Sequence, residues 1–369
     1  MFSVKNTHND IVLMITLYIV STLFLVIVDN INMLVKNIFK LKNLRFFVLI
    51  LLSACIENAP LDSLSPEGPY ARSIDELFWL TFWIAVVVFV IVQGALILSI
   101  FVFKEKPDSP EPKQIHGNTK LEILWTVIPV IILAVIAVPT VRTIFDLANE
   151  PEDALKIEVI GHQWWFEYKY PDYGITTANV LVIPADRPVR LEMWSNDVLH
   201  NYWVPKLNGK RYLVPGQTTY LNLHADSPDE FWAQCGEYCG LSHSKMRGRV
   251  LSLSESDFQT WIKNQQQNAN KLEGNSLAAE GQQVYLNAGC TQCHVIDGVW
   301  DVQGDRIAPN LTHFANRNVF AGAALYNNEE NLSKWLANPA EIKPGTFMPN
   351  LELTEAEINA LIAYLGTLK

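Results

Sequence analysis

The chain has 369 residues, 49% of them hydrophobic, and a formal net charge of −10, which is long enough for two or three domains. The negative balance, with no basic patch interleaved with aromatics, excludes a nucleic-acid binder. The apolar residues are concentrated early in the chain, so membrane segments are expected ahead of soluble domains.

Residues 33–54 have the layout of a lipoprotein signal peptide. A basic region (Lys36, Lys40, Lys42, Arg45) precedes the apolar "FFVLILL", and "LLSAC" ends at Cys55, the expected lipidated first residue of the mature chain. Residues 1–32 carry a further apolar run, Ile11–Val28. It reads either as a third membrane helix or as an upstream extension of a start at Met33, which the layout favours. Residues 55–77 would be extracytoplasmic.

Residues 78–144 read as a transmembrane hairpin. Phe78–Phe103 carries no charge. At about 1.5 Å per residue it reaches about 39 Å, enough to span a hydrocarbon core of about 30 Å. A second span covers 123–144, apolar apart from Arg142. A buried core helix is the competing reading, and length and lack of charge oppose it. The connecting loop, 104–120, holds Lys104, Lys106, Lys113 and Lys120, whereas 56–77 holds only Arg72. The positive-inside rule therefore puts the loop in the cytoplasm and everything after about residue 145 outside.

Residues 148–263 read as short strands broken by Pro, Gly and Asp: "KIEVIGHQWWFEYKY", "VLVIPADRPVRLEMWS", "TTYLNLHA" and "GRVLSLS". That pattern predicts an all-β sandwich or barrel. Into it falls "QCGEYCGLSHSKM", which packs Cys235, Cys239, His243 and Met246 into one loop, with His200 upstream in "VLHNYWVP". A remote histidine plus a Cys-His-Met loop is how a β-sandwich builds a copper site. One blue copper needs only one thiolate, so two thiolates suit two coppers sharing both sulfurs. One histidine then serves each metal, Met246 is a weak ligand, and the Glu237 carbonyl is available to the other copper. A Cys2His2 zinc site is the alternative, although zinc has little use for Met246. Local disulfides are the bland reading of the close cysteine pairs.

"CGEYCGLSHSKM", "VLHNYWVP", "GHQWWFEYKY", "LEILWTVIPVIIL" and the two-helix hairpin together resemble cytochrome c oxidase subunit II over about residues 65–263. The resemblance implies a cupredoxin-like Greek-key domain with a dinuclear CuA centre held by His200, Cys235, Glu237, Cys239, His243 and Met246. It also implies that the Glu237 carboxylate binds a magnesium ion shared with subunit I. Trp164 would lie on the electron-entry surface, and Glu122 at the mouth of a proton pathway into subunit I. Plainer readings are a packed strand aromatic for Trp164 and a solvated interfacial carboxylate for Glu122. Arg211 and Tyr212 depart from the family, which usually has an acidic residue after the "GK" of this turn. That puts a conventional cytochrome c docking patch in doubt.

Residues 278–369 carry Cys290-x-x-Cys293-His294, the c-type haem attachment motif. "APNLT" and "WLANPAEIKPGTFMPN" resemble the class I all-α cytochrome c fold, with Met348 at the sixth-ligand position of haem c. A Met/His pair raises the haem potential, which suits a donor to copper. Thr354 followed by Glu357 predicts a capping box on a last helix, expected to pack on the first helix of the domain. His224 and His313 read as surface or satisfied histidines.

Residues 264–277 read as a polar linker, with flexibility expected through about residue 280. The haem domain is then expected to work by proximity rather than through a tight interface. The whole reads as subunit II of a bacterial oxidase of the inner membrane, multi-pass, with its soluble domains outside. Electrons would run from the donor through haem c and CuA to haem a of subunit I, for O2 reduction coupled to proton translocation. Subunits I and III and membrane lipid would be its partners, with soluble cytochrome c or a quinol-oxidising complex as donor. A stand-alone membrane-anchored electron carrier and a disulfide-stapled lipoprotein remain as alternatives. The copper domain of nitrous oxide reductase is a further resemblance, but that enzyme's propeller domain has no counterpart here.

Overall fold

A computed structural model describes residues 59–369, apart from 106, 108–109, 113, 116 and 301–306. The upstream segment, the signal-peptide layout and Cys55 lie outside the described residues, as do Lys106 and Lys113 of the loop.

Two helices are long and apolar enough to cross a membrane: α1 (Pro69–Val102) and α2 (Thr119–Ala148). Ala71 is the one buried residue in the two helices, as expected of surfaces meant for lipid. Both extend beyond the predicted spans. The extra turns at the start of α1 carry Arg72, Asp75 and Glu76 and serve as a joint to the β-domain. Arg72 pairs with Asp226, and the Glu67 N–H donates to the Lys206 carbonyl at 2.8 Å. Gly68 meets the His224 backbone so closely that a Cβ would lie 2.0 Å from its carbonyl oxygen. At the far end of the hairpin, the Asn222 amide donates to the Leu147 and Asn149 carbonyls at 3.0 and 2.7 Å. A side chain of the β-domain thus satisfies orphan carbonyls at the end of α2.

The β-domain is a two-sheet sandwich. Its strands are β1 (Leu155–His162), β2 (Trp165–Tyr170), β3 (Ile175–Ala178), β4 (Val180–Pro184), β5 (Val189–Ser195), β6 (His200–Trp203), β7 (Lys210–Leu213), β8 (Thr219–Leu223), β9 (Asp229–Cys235) and β10 (Arg247–Leu253). One sheet runs β3-β2-β1-β5-β8 and the other β4-β10-β9-β6-β7. The β1–β5 and β4–β10 pairs are parallel, so the chain crosses between sheets as in a cupredoxin. "KIEVIGHQWWFEYKY" is not one strand but a hairpin that turns at Gln163–Trp164, with His162 opposite Trp165. β3, β6, β7 and β9 were not among the predicted runs. They are short or carry exposed polar residues, so their alternation is weak.

Helix α3 (Glu255–Gln265) packs Phe258 and Ile262 into the sandwich core. The C-terminal domain has α4 (Leu277–Asn287), α5 (Glu329–Ala337), the short α6 (Pro339–Ile342) and α7 (Glu355–Leu365). The capping box at Thr354 and Glu357 is present. Helices α4 and α7 cross as expected, and Gly281 is their contact point: a Cβ there would lie 1.9 Å from the Ala360 carbonyl oxygen.

The predicted linker is anchored along its length. The Gln266 amide donates to the Tyr173 carbonyl at 2.9 Å. The Ala269 N–H donates to the Asp297 carbonyl at 2.9 Å. The Gln282 side chain accepts from the Leu272 N–H and donates to its carbonyl, at 2.9 and 3.1 Å. The expectation of a haem domain working by proximity alone is corrected: it sits on the β-domain, and its Val319 and Ala323 join the sandwich core. Polar composition was the basis of the expectation. Of the segment's polar side chains Gln266 is an anchor, and the backbone of Ala269 and Leu272 makes the other ties.

Candidate metal centre and haem-attachment segment

β9 ends at Cys235 and β10 begins after Met246, and these two strands are antiparallel neighbours. The Cys235 N–H donates to the Met246 carbonyl at 3.0 Å and closes the loop at its base. Cys235, Cys239, Met246 and His200 are all buried. The two Sγ atoms are 3.8 Å apart, well beyond a disulfide bond of about 2.05 Å, and all four described cysteines are free. Cys239 Sγ lies 3.5 Å from His243 Nδ1 and 3.8 Å from Met246 Sδ. Cys235 Sγ lies 3.3 Å from the Glu237 carbonyl oxygen. Ligand atoms of His200, Cys235 and Cys239 all lie within 4.8 Å of one another. The loop and the remote histidine therefore converge as the spacing suggested.

His200 comes from the first residue of β6. Its Nε2 lies 2.7 Å from Asp197 Oδ1, and its Nδ1 is buried without a hydrogen-bond partner. A buried orphan nitrogen beside two sulfurs fits a metal ion, because an unpaired buried polar atom is otherwise costly. Asp197 selects the tautomer, holding Nε2–H so that the Nδ1 lone pair is free. Gly161 makes room for the ring: a Cβ there would lie 2.7 Å from His200 Cδ2. Sequence reasoning missed Asp197, and its only signal was a carboxylate three residues before a metal-site histidine.

The electrostatics point the same way. The bond from the Cys239 thiol is the main cause that lowers Cys235 to about 4, against its burial and with help from His200. Cys239 is pushed far above the ordinary thiol range by its bond to Cys235 and by burial. One thiolate forms readily, and the second needs a cation to offset the repulsion. Burial lowers the His200 pKa, but its bond to Asp197, together with the neighbouring Cys235 sulfur, outweighs that and leaves it raised.

The β1–β2 turn grips the loop from outside. Trp164 Nε1 and Gln163 Nε2 both donate to the Cys239 carbonyl, at 2.9 and 2.7 Å. Trp164 is only 5% exposed, with Gly345 and Lys343 of the C-terminal domain packed against it. Tyr212, one of the two residues that depart from the family pattern, faces the Glu237 carboxylate, which raises the Tyr212 pKa. Glu122 lies exposed in the first turn of α2, remote from this cluster.

In the C-terminal domain, Cys290 begins a short 3-10 turn just after α4, and the His294 N–H donates to the Cys290 carbonyl at 2.9 Å. His294 Nδ1 lies 2.8 Å from the Pro309 carbonyl oxygen, which leaves Nε2 free for an iron. Burial lowers the His294 pKa and so favours the neutral imidazole that ligates metals. Cys290 and Met348 both pack against the same apolar cluster. His313 is buried, with Nε2 3.1 Å from the Gln265 carbonyl, and His224 faces Asp186 at 3.8 Å.

Three family models match the chain: "Cytochrome C oxidase subunit II, transmembrane domain" over 62–143, its "periplasmic domain" over 174–252, and "Cytochrome c" over 278–369. Cytochrome c oxidase subunit 2 of Alkalihalophilus pseudofirmus is 36% identical over 331 residues, covering 88% of this chain and 95% of the relative. That of Bacillus subtilis is 34% identical over 342 residues, 87% and 95% of the two chains. A quinol oxidase subunit 2 of Bacillus cereus is 31% identical over 232 residues, 61% of this chain and 79% of the relative. Relatives with differently named donors thus share this framework, and the electron route must be read from the chain's own residues.

Proposed function

This chain belongs to the cytochrome c oxidase subunit II family, with a cytochrome c domain at its C-terminus, and we propose that it is the electron-entry subunit of an oxidase whose O2-reducing site lies in subunit I. Copper and haem are its cofactors and it is anchored in a membrane. Within that frame we read the metal as dinuclear CuA. The observation that carries this is the cluster of two buried sulfurs, the orphan Nδ1 of His200, His243 Nδ1, Met246 Sδ and the Glu237 carbonyl.

When bound, the copper pair and the haem supply one-electron redox chemistry. The chain's own residues do the rest. Cys235, Cys239, His200 and His243 would hold the copper. Met246 and the Glu237 carbonyl would be the weak ligands. Cys290 and Cys293 would attach the haem, and His294 and Met348 would hold its iron. Trp164 lies between the haem domain and the Cys239 carbonyl, which suits it to carry electrons inward. Asp197 holds His200 in its ligating tautomer, and the apolar sandwich core keeps water from the sulfurs.

Further roles belong to the same reading. The Glu237 carboxylate would help hold magnesium at the subunit I boundary, and Glu122 would sit at a proton entrance, in an oxidase that also has a subunit III. The chain would be a lipoprotein of the bacterial inner membrane, with a signal peptide at 33–54, lipid on Cys55 and soluble domains at 148–263 and 278–369 outside. Its donor would be soluble cytochrome c or a quinol-oxidising complex.

Metal analysis with EPR and near-infrared spectra of the purified oxidase tests the copper assignment. Two coppers per chain sharing one unpaired electron are expected. A colourless site holding a single zinc would refute it.

A further inference from the structure

Lys343 lies on the haem-domain side of the junction and is only 3% exposed. Its Nζ donates to the Trp164 carbonyl of the β1–β2 turn and to the Ala321 carbonyl of its own domain at 3.0 Å. A buried amine persists only when hydrogen bonds replace its lost water, and here one of those bonds crosses the domain boundary. Neighbouring bonds cross with it. Lys245 Nζ donates to the Ile342 carbonyl, Ser242 Oγ to the Pro344 carbonyl at 2.7 Å, and the Arg247 N–H to the Gly322 carbonyl at 2.8 Å.

Two glycines let the backbones approach this closely. Gly322 has φ +74, and a Cβ there would lie 2.5 Å from both Lys343 Nζ and the Trp164 carbonyl oxygen. Gly345 has φ +81, and a Cβ there would lie 2.8 Å from the Trp164 ring. The indole is thus held between Gly345, three residues before Met348, and the Cys239 carbonyl of the metal loop.

We propose that Lys343 is a positioning residue for electron delivery: by joining the carbonyls of Trp164 and Ala321 it clamps the haem domain onto the indole that leads to the metal loop. The electron then crosses a fixed contact, with no undocking between turnovers. The step moves one electron and changes no bond. The haem domain is oxidised by one equivalent, the copper domain is reduced by one, and the external donor restores the first. The functional half of this inference rests on the proposed electron-entry role. The clamp itself does not.

The test is amide hydrogen exchange on the full-length protein in the assembled oxidase, over residues 160–166 and 241–247. Lys343→Met keeps the apolar stem and removes the donors, leaving buried carbonyls unpaired. Protection of both segments should fall by about tenfold or more. Lys343→Gln, which restores an N–H donor, should recover part of it. Haem-to-copper transfer after a pulse of reduced donor should slow in parallel and become sensitive to salt, as expected once encounter replaces a fixed contact. Unchanged protection in Lys343→Met with a folded haem domain overturns the clamp. If that variant unfolds the haem domain, Lys245→Met cuts a crossing bond from the other side, and unchanged protection there overturns it equally. Protein that lacks haem or copper spectra would sink the electron-entry reading but leave the exchange result standing.

Discussion

Asp197→Ala probes the link between the fold and the metal site most directly. The carboxylate accepts from His200 Nε2 at 2.7 Å and from the Gln163 and Val198 N–H groups at 2.6 Å each. Burial raises its pKa, but these bonds outweigh burial and hold it below the ordinary carboxylate value. It is therefore an anion at neutral pH, and it fixes His200 with Nδ1 turned to the sulfurs. Removing it frees the imidazole to change tautomer and to rotate. Loss of an outer-shell partner of a ligating histidine weakens metal binding by about 10–100-fold, which is about 1.4–2.7 kcal/mol. The Asp197 side chain is 28% exposed, so water can replace it at the two backbone N–H groups, and their share of the cost is discounted. The fully buried His200 has no such substitute. Competition for copper against a chelator, on the full-length protein, gives the affinity directly. Asp197→Ala should bind copper at least about tenfold more weakly, and Asp197→Asn, which keeps an acceptor oxygen, should fall between it and the parent. Equal affinities for parent and Asp197→Ala would show that the bond does not position His200.

Met246→Leu should retain both coppers and the fold, because the exchange nearly conserves volume and costs less than about 1.5 kcal/mol. Its midpoint potential should shift, since a weak ligand tunes the metal rather than holding it, and a spectroelectrochemical titration reads this. Gly281→Ala forces a Cβ into backbone at the α4–α7 crossing and should destabilise the haem domain by about 3 kcal/mol, the upper end for overpacking, as followed by loss of the haem band in denaturant. Mass spectrometry of the mature protein should find a lipid-modified Cys55 as its first residue, and recovery of peptides from residues 1–32 would refute that processing.

The clustered members of each proposed ligand set were legible in the sequence because they are local, whereas His200 and Met348 lie far along the chain from them. Cys235, Cys239, His243 and Met246 lie on one loop, and Cys290, Cys293 and His294 on one turn, so chain reach alone brings their donor atoms together. The membrane helices and the capping box at Thr354 were legible for the same reason, since charge-free length and capping are properties of a short window. The tertiary structure decided what depends on residues far apart in the chain. Gly161 clears space for His200 only because β1 faces β6 across the sandwich. Lys343 meets the Trp164 carbonyl across 179 residues, and Ser242 meets Pro344 across 102. No periodicity or spacing announces such pairs, because a hydrogen bond between distant segments leaves no repeat in either one. The polar segment at 264–277 shows why composition misleads here. The Gln266 amide and the backbone of Ala269 and Leu272 become anchors once packed neighbours offer them partners, and only the assembled chain determines that.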